Sequence, residues 1–253
     1  MTDSPHVDTF EKIDVHTHLG DMPNVHFTRS RTDLEAVERS FGITRAVCSS
    51  ARAVFYEMKG GNAAMYEAVQ ASELLYMYVY VDPLRPEVSL RELETYARLP
   101  RVAGIKSRPE YHRVAADHPA YVEICGRAAQ LKLPYLMHTW SPQDVAGAIA
   151  LTQKVSLPII LAHVVPRGWS ECVQPLKDFP NLILDPCSSY QEYNRLRYLV
   201  DLVGPERVVL GTDSTLITPA WTLGAFESAG LNDREKRLIY RENALRIFGE
   251  RLQ

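Results

Sequence analysis

The stretch PYLMHTWSPQDVAGAIALTQKVSLPIILAH, residues 134–163, contains two short apolar runs on either side of a segment with helical spacing. The runs YLM and IILA are of strand length and do not alternate with polar residues, which is typical of strands buried on both faces of a parallel sheet. A helix between them supplies the crossover that a parallel pair requires. Each run is followed by a histidine, His138 and His163, so both imidazoles are expected at the same edge of the sheet.

The same alternation of apolar strand and helix continues along the whole chain. We count eight strand candidates, which are KIDVH, ITRAVCSS, LLYMYVYV, VAGIKS, PYLMHT, PIILAHVV, NLILDPCSS and RVVLGTDS. Eight such units in 253 residues predict an α/β fold of the (β/α)8 TIM-barrel type, as a single compact domain over residues 1–253. The structural rival, a doubly wound open sheet, usually has a glycine-rich first turn, which HTHLGDMPN does not resemble.

Composition excludes several classes of function. The chain is 46% hydrophobic and 23% charged with a net charge of −3, and it has no basic run that would follow a phosphate backbone, so we expect no nucleic-acid partner. The polar start MTDSPHVDTFEK lacks a secretory layout and no apolar run would span a bilayer, so we expect a cytoplasmic protein without membrane contact. Four scattered cysteines without a C-x-x-C pair predict free thiols.

The segment IDVHTHLG, residues 13–20, places His16 and His18 one residue apart at the end of an apolar run. In an extended strand, side chains two positions apart point to the same face, so both imidazoles can converge on one point. That arrangement can hold a metal ion. It can equally be a pair of polar residues where a strand enters a loop, so the remainder of the chain has to decide.

Ionisable side chains also follow other predicted strands, at the rim that carries the chemistry in barrels of this type. The complete rim set is His16 and His18 after strand 1, Lys106 after strand 4, His138 after strand 5, His163 after strand 6 and Asp213 after strand 8. Each has an ordinary explanation alone, because a rim histidine is more often hydrogen-bonded than a ligand and an aspartate in GTDS is commonly an N-cap. Their joint occurrence on one rim favours a metal site.

Taken together, the segments DVHTHLG, GIKSRPEYH, LMHT, LAHV, LGTDS and ENALRIFG resemble the amidohydrolase superfamily of metal-dependent barrels. They look most like its branch of compact hydrolases and nonoxidative decarboxylases. The resemblance extends over essentially the whole chain and implies that the metal ligands are His16, His18, His138 and Asp213.

The same resemblance implies roles for three further positions. His163 falls on a position that either polarises the substrate or binds a second metal. Lys106 corresponds to a lysine that is carboxylated and bridges two ions in two-metal members, whereas in one-metal members it need not touch the metal. Arg108 stands where this branch often has a histidine, and its planar guanidinium is suited to a substrate carboxylate or phosphate, or is simply a solvated rim cation.

Imidazole and carboxylate ligands suit Zn²⁺ first and Mn²⁺ second, as one ion, or as two if Lys106 is carboxylated. Such a site can lower the pKa of a bound water to about 7, and Asp213 is then the natural base for its proton. We therefore expect a hydrolase of a small amide, lactone or ester. The alternatives are a nonoxidative decarboxylase of an aromatic or enoic acid, and a barrel that only binds or scaffolds. The expected partner is a small-molecule substrate, and a homo-oligomer stays open.

Overall fold

The computed structural model describes residues 10–23 and 30–252. Seven parallel strands form one sheet in sequence order, so each strand pairs with the next along the chain. They are β1 (Lys12–Leu19), β2 (Ile43–Ser50), β3 (Leu75–Tyr80), β4 (Val102–Ser107), β5 (Tyr135–His138), β6 (Ile159–Ala162) and β7 (Leu182–Asp185). All seven coincide with apolar runs that the sequence predicts as strands. Most of the polar start that was read as lacking a secretory layout lies outside the described residues.

Helices connect the strands. The α-helices of the described residues are α1 (Arg31–Ser40), α2 (Ala51–Phe55), α3 (Met58–Gln70), α4 (Pro86–Tyr96), α5 (Pro109–His112), α6 (Pro119–Gln130), α7 (Pro142–Thr152), α8 (Arg195–Val203), α9 (Pro219–Ser228), α10 (Asp233–Arg237) and α11 (Asn243–Phe248). A π-helical turn, Leu238–Glu242, joins the last two. Helices α1 and α7 both begin with a capping box, in which Ser30 pairs with Asp33 and Ser141 with Asp144. These reciprocal bonds satisfy amide groups that a helix start otherwise leaves unpaired.

The eighth predicted strand is not formed as a strand. Residues 208–214 instead lie between the two edge strands, with single bridges from Val208 to Leu184 of β7 and from Ser214 to Thr17 of β1. Backbone hydrogen bonds reach both neighbours, since Val209 N donates to Leu184 O over 2.9 Å and Asp213 N donates to the first strand over 2.8 Å.

Local geometry explains why this segment does not form a regular ladder. Gly211 passes so close to the Asp185 carboxylate that a Cβ atom there would collide with it. Asp213 has a φ of +58°, in the left-handed region, which an extended strand cannot contain. The sequence run RVVLGTDS therefore fills the gap between β7 and β1 while its backbone turns the aspartate towards the rim.

The connection between β6 and β7 also differs from the expected helix. Two short 3₁₀ helices occupy it, Trp169–Glu171 and Gln174–Asp178. Pro175 lacks a backbone N–H and its ring disfavours a continuing α-helix, which accounts for the break. Further 3₁₀ turns are Pro205–Arg207 and Gly249–Leu252.

The apolar core has two main layers. The larger lies between the sheet and the helices, and includes Leu34, Met77, Ile105, Ile124 and Leu161. The other lies on the concave face, takes side chains from all seven strands and from Val209, and is covered by the carboxyl-terminal Phe248 and Leu252. Because successive strand side chains alternate, Leu136 in this inner layer places His138 on the same face, one step nearer the rim.

Two further sequence expectations concern membranes and thiols. None of the helices in the described ranges is both long and apolar enough to cross a bilayer. The four cysteines are free, with Cys48, Cys125 and Cys187 buried and Cys172 half-buried.

Candidate functional site

An open cavity of about 390 Å³ lies over the carboxyl ends of the strands. Its walls combine polar rim residues with loop residues, and they are His18, Met22, Pro23, Phe55, Lys106, Arg108, Glu110, Tyr111, His138, Trp140, His163, Asp213 and Leu216. Six of the seven residues singled out from the sequence line this cavity. The seventh, His16, is fully buried directly beneath it, with its Nε2 atom 3.3 Å from Nε2 of His18.

Three side chains converge on one point at the floor of the cavity. Oδ1 of Asp213 lies 3.1 Å from Nε2 of His18 and 3.5 Å from Nε2 of His16. All three groups are buried, and together they could offer one ligand atom each to a metal ion. Although it is buried, Asp213 Oδ1 receives no hydrogen bond of good geometry. An orphaned buried carboxylate oxygen is costly unless something else pairs with it.

The protonation states of these groups suit a cation. Burial lowers the pKa of His16 and of His18, so both imidazoles are neutral at neutral pH. Burial alone would raise the pKa of the Asp213 carboxyl, but the nearby His18 and the neighbouring imidazoles hold that pKa well below its usual range. The floor of the cavity therefore presents two neutral imidazoles and one carboxylate, which are ligands typical of zinc and manganese.

Asp185, at the end of β7, orients His16. Its Oδ2 atom lies 2.7 Å from Nδ1 of His16, and both side chains are fully buried. Because the carboxylate accepts, the proton of His16 is on Nδ1, and the lone pair of Nε2 points at Asp213 and His18. Sequence reasoning missed Asp185, although it follows three apolar residues in LILD and so carries the signal that identified its neighbours.

Lys106 reaches the same point from β4. Its ammonium nitrogen lies 3.2 Å from Nε2 of His16, and the side chain is fully buried. Burial, with a further contribution from the charge of Arg108, lowers the pKa of Lys106 to about 7. An amine placed here is close enough to the ligand cluster for a carboxylated form to contact an ion held by it.

His138 does not join the ligand cluster. Its Nε2 atom lies 3.2 Å from Nη2 of Arg108, and its ring stacks on Trp140 at 5.5 Å between ring centroids. Among the described residues it belongs to neither group of three side chains whose ligand atoms lie close enough to share an ion. The structure thus brings together three of the four predicted ligands, while His138 stands on the adjacent wall of the cavity.

Arg108 is largely buried and faces the cavity. Its guanidinium carbon lies 3.6 Å from the centroid of the Tyr111 ring, and its Nε atom has no hydrogen-bond partner. A guanidinium stacked on an aromatic ring with an unused donor is arranged to receive a planar anion.

His163 follows β6 in a left-handed conformation, with a φ of +73°. Its Nδ1 atom lies 3.0 Å from the carbonyl oxygen of Cys187. A carbonyl can only accept, so Nδ1 carries the proton and Nε2 has a lone pair. Burial lowers the pKa of His163 to about 3, which keeps the ring neutral.

A second group of possible ligands combines His16, His163 and Cys187. Both imidazoles face the thiol with Nδ1, at 3.4 Å and 3.6 Å from Sγ. Those two nitrogens already donate to Asp185 and to the Cys187 carbonyl, and burial raises the pKa of the thiol well above its usual range. This group therefore lacks free lone pairs for a metal. The Cys187 side chain is buried and packs below the site.

The cluster of His16, His18 and Asp213, by contrast, directs lone pairs at one point. Nε2 of His16 faces Oδ1 of Asp213 at 3.5 Å and Nζ of Lys106 at 3.2 Å, so two electron-rich atoms meet at a point that Lys106 can contact as well. A divalent cation at that point would pair with the orphaned oxygen of Asp213 and with Nε2 of both histidines. The residues present therefore fit the metal implied by the sequence motifs.

Solved structures share this architecture. A putative 2-pyrone-4,6-dicarboxylic acid hydrolase from Pseudomonas putida is 16% identical, with a TM-score of 0.78 over 94% of this chain and 97% of its own. The 5-carboxyvanillate decarboxylase from Sphingomonas paucimobilis is 15% identical, with a TM-score of 0.76 over 94% and 98%. An amidohydrolase from Burkholderia multivorans is 13% identical, with a TM-score of 0.77 over the same shares. At these identities the similarity establishes the fold.

The sequence itself identifies the family. No curated protein matches the chain in overall sequence. The profile of the amidohydrolase family, however, matches residues 13–249, which include every rim residue described above. The chain therefore belongs to the amidohydrolase family.

Proposed function

We propose that this protein is a metal-dependent hydrolase that acts on a small amide, lactone or ester through an activated water. The observation that carries the proposal is the orphaned, anionic Asp213 Oδ1 beside the neutral His16 and His18, at the floor of an open cavity. His16, His18 and Asp213 would hold a divalent ion, with Zn²⁺ preferred over Mn²⁺, and Lys106 would add a bridge to a second ion if carboxylated. His138 joins them only if its ring turns away from Arg108.

A divalent ion bound there supplies a water of lowered pKa at neutral pH. The carboxylate of Asp213 accepts the proton of the attacking water and returns it to the leaving group. His163 stands at the end of β6 and lines the same cavity, with a lone pair at Nε2, since its proton lies on Nδ1. Nε2 is therefore suited to holding the attacking water. The roles that the resemblance implies for this residue are instead to polarise the substrate or to bind a second metal.

The cavity wall supports a substrate that carries a negative charge. Arg108 lines the cavity and its guanidinium stacks on Tyr111, so we assign it to a substrate carboxylate. Trp140 and Phe55 add flat apolar surface on the same cavity, which suits a planar ring beside that carboxylate.

The same wall favours a second candidate, the nonoxidative decarboxylation of an aromatic or enoic acid. That reaction needs the same metal ligands and a cation for the carboxylate, and Arg108 with its aromatic neighbours supplies the latter. The fold similarity to a 5-carboxyvanillate decarboxylase adds a precedent for this chemistry on the same architecture.

The proposal also covers the domain organisation and the location of the enzyme. We assign residues 1–253 to one domain in which residues 208–214 close the sheet as the eighth element of a (β/α)8 barrel, because they bond to both edge strands. The enzyme would work in the cytoplasm on a small molecule, without nucleic acid or membrane, and its oligomeric state is left open.

Turnover of a substrate panel tests the function. Zinc-loaded protein is assayed against lactones, amides and esters for acid release and against hydroxybenzoates for carbon dioxide release. We expect hydrolysis that chelation removes, that zinc or manganese restores and that Asp213→Asn abolishes, whereas the surface variant Asp117→Asn retains it. Carbon dioxide release alone would establish the second candidate, and inactivity of the metal-loaded protein on both halves of the panel would contradict the proposal.

A further inference from the structure

Arg195, at the start of α8, is one of the largest fully buried side chains, although it lies outside the cavity. Its Nη2 atom donates to the backbone carbonyl of His163 over 2.6 Å and to that of Val164 over 3.0 Å. Its Nη1 atom lies 3.4 Å from the carbonyl of Pro186. One guanidinium thus ties the segment after β6 to the segment after β7.

The segment after β6 needs such a tie. His163, Val164 and Val165 have φ values of +73°, +50° and +52°, three consecutive left-handed residues that are not glycine. Left-handed conformations are strained for residues other than glycine, and β-branched side chains are among the least suited to this region. The turn also directs two buried carbonyls away from sheet pairing, and each would remain unsatisfied without a donor.

The segment after β7 holds the other contact of the His163 ring. Cys187, next to Pro186, offers the carbonyl that accepts from His163 Nδ1 over 3.0 Å. Arg195 therefore binds two backbone segments at once. One carries the His163 imidazole, and the other offers the carbonyl that accepts the proton of that imidazole. Burial lowers the pKa of Arg195 to about 10, so the guanidinium stays charged at neutral pH and its donors bind carbonyls more strongly than neutral groups would.

From these contacts we infer that Arg195 is a positioning residue, which holds His163 in its left-handed turn and keeps the lone pair of Nε2 directed at the cavity. It acts through His163 and touches none of the metal-ligand side chains His16, His18 and Asp213. The inference rests on the place proposed for His163 in the reaction, but its structural part can be tested without a substrate.

The ring tautomer of His163 provides that test. Nitrogen NMR of zinc-loaded protein, with the His163 signals assigned by their loss in His163→Asn, should report the proton on Nδ1 in the wild type. In Arg195→Met the two tautomers should average, because the turn that meets the Cys187 carbonyl is released, and Arg195→Lys should recover part of the wild-type signal. Arg197→Met is the matched control, because Arg197 is on the same helix but binds Asp201 and Glu235 on the surface.

Turnover in a double-mutant cycle tests the functional part. Arg195→Met should lower kcat roughly 10- to 100-fold with the zinc content unchanged. In the His163→Asn background the same change should cost less than about 2-fold, because the residue it positions is already gone. If Arg195→Met does not fold, Arg195→Lys carries both measurements.

The outcomes separate the inference from the proposed function. An unchanged His163 tautomer in the Arg195 variants, or a loss of kcat that is equal in both backgrounds, overturns the role of Arg195. Full activity of His163→Asn removes His163 from the reaction, and with it the functional part of the inference, while leaving the tautomer result to stand for the contact. Loss of zinc in Arg195→Met would make the residue a general support of the site and would also overturn the inference.

Discussion

A buried histidine is tolerated when each ring nitrogen has a partner, and His16 meets that requirement with Asp185 on one side and the ligand cluster on the other. The residues of the rim could be predicted because an ionisable side chain directly after an apolar run is expected at the carboxyl end of a buried strand. The contacts that these side chains make with one another could not be predicted. The contact between Arg108 and His138 depends on how the loop after β4 turns back, which no spacing in the sequence encodes.

The ligand assignment predicts the metal content. The isolated, zinc-supplied protein should carry about one zinc per chain. His18→Ala and Asp213→Asn should each reduce it well below one and abolish turnover, because each removes a ligand atom that the remaining residues cannot replace. His118→Ala, which changes an exposed histidine at the start of α6, should bind zinc as the wild type does. Elemental analysis decides, and wild-type zinc content in both site variants would refute the cluster.

Asp185 should tune the metal without touching it. In Asp185→Asn the hydrogen-bonded partner of His16 is no longer an anion, so His16 becomes a weaker ligand. We expect zinc affinity to fall roughly 10- to 100-fold, measured by competition with a chelator. Asp178→Asn, at the end of the preceding 3₁₀ helix, serves as control. Equal affinities in the wild type and Asp185→Asn would show that orientation alone, rather than charge, is what His16 needs.

Lys106 offers a choice between two roles. If it is carboxylated and bridges two ions, Lys106→Ala should lose metal and activity together, and added short-chain carboxylic acids should restore part of both, since they replace the missing carboxylate. The zinc content of the wild type would then approach two per chain. Loss of activity at unchanged metal content would instead identify Lys106 as a cation that binds substrate.

Among the elements, the seven strands were predictable because a run of apolar residues bounded by turns has one stable place in a parallel α/β sheet. The exceptions come from single residues that override the pattern. Gly211 and Asp213 interrupt the eighth strand, and Pro175 breaks the helix expected before β7. In each case a backbone constraint at one position outweighs the apolar periodicity of the surrounding segment.

The segment 208–214 is held to β1 by backbone hydrogen bonds, such as Val15 N to Leu210 O over 2.9 Å, and by the side chain of Asp14. Its carboxylate accepts from the backbone of His16 over 2.8 Å and from the backbone of Thr212 over 3.1 Å, and it also accepts from the Thr212 hydroxyl.

Thr212→Val should therefore lower the free energy of unfolding by about 1–3 kcal/mol, because it leaves a buried carboxylate oxygen without its donor. Thr218→Val is the matched control, since Thr218 is exposed at the start of α9 and its side chain makes no capping bond. Urea unfolding measures both. Equal stability of the two variants would show that this contact does not hold the segment.

At the scale of the whole molecule, the order of elements sufficed to predict a parallel α/β sheet, and the motifs at the strand ends predicted the family, whereas the substrate could not be predicted. The cavity owes its shape to Met22, Phe55, Tyr111, Trp140 and Leu216, which come from five separate connections after the strands. Their approach is set by tertiary packing, and aromatic residues beyond the strand ends are packed against neighbours as often as they face a ligand. The residues at the strand ends therefore predicted the type of chemistry, but the sequence did not predict the substrate specificity.

The same packing buries an acid outside the cavity lining, with a consequence for the stability of the whole fold. Glu38 of α1 is fully buried against Asp14, and burial raises the pKa of Glu38 from 4.5 to about 7. Between those two values the folded protein holds a proton that the unfolded chain releases, so the free energy of unfolding should fall as pH rises from 5 to 8. Glu38 should account for up to about 3 kcal/mol of that fall.

Glu38→Gln removes the titration of Glu38 and leaves that of Asp14, whose pKa burial also raises. The free energy of unfolding of the variant should therefore fall less steeply than that of the wild type as pH rises from 5 to 8. Urea unfolding at a series of pH values between 5 and 8 gives the two slopes. Glu35→Gln is the matched control, because Glu35 lies on the same helix, is only half-buried and pairs with Arg31 at 2.6 Å, which leaves the slope near that of the wild type. Parallel slopes for the wild type and Glu38→Gln would mean that Glu38 is already ionised in the folded protein at pH 5, with its charge compensated inside the core.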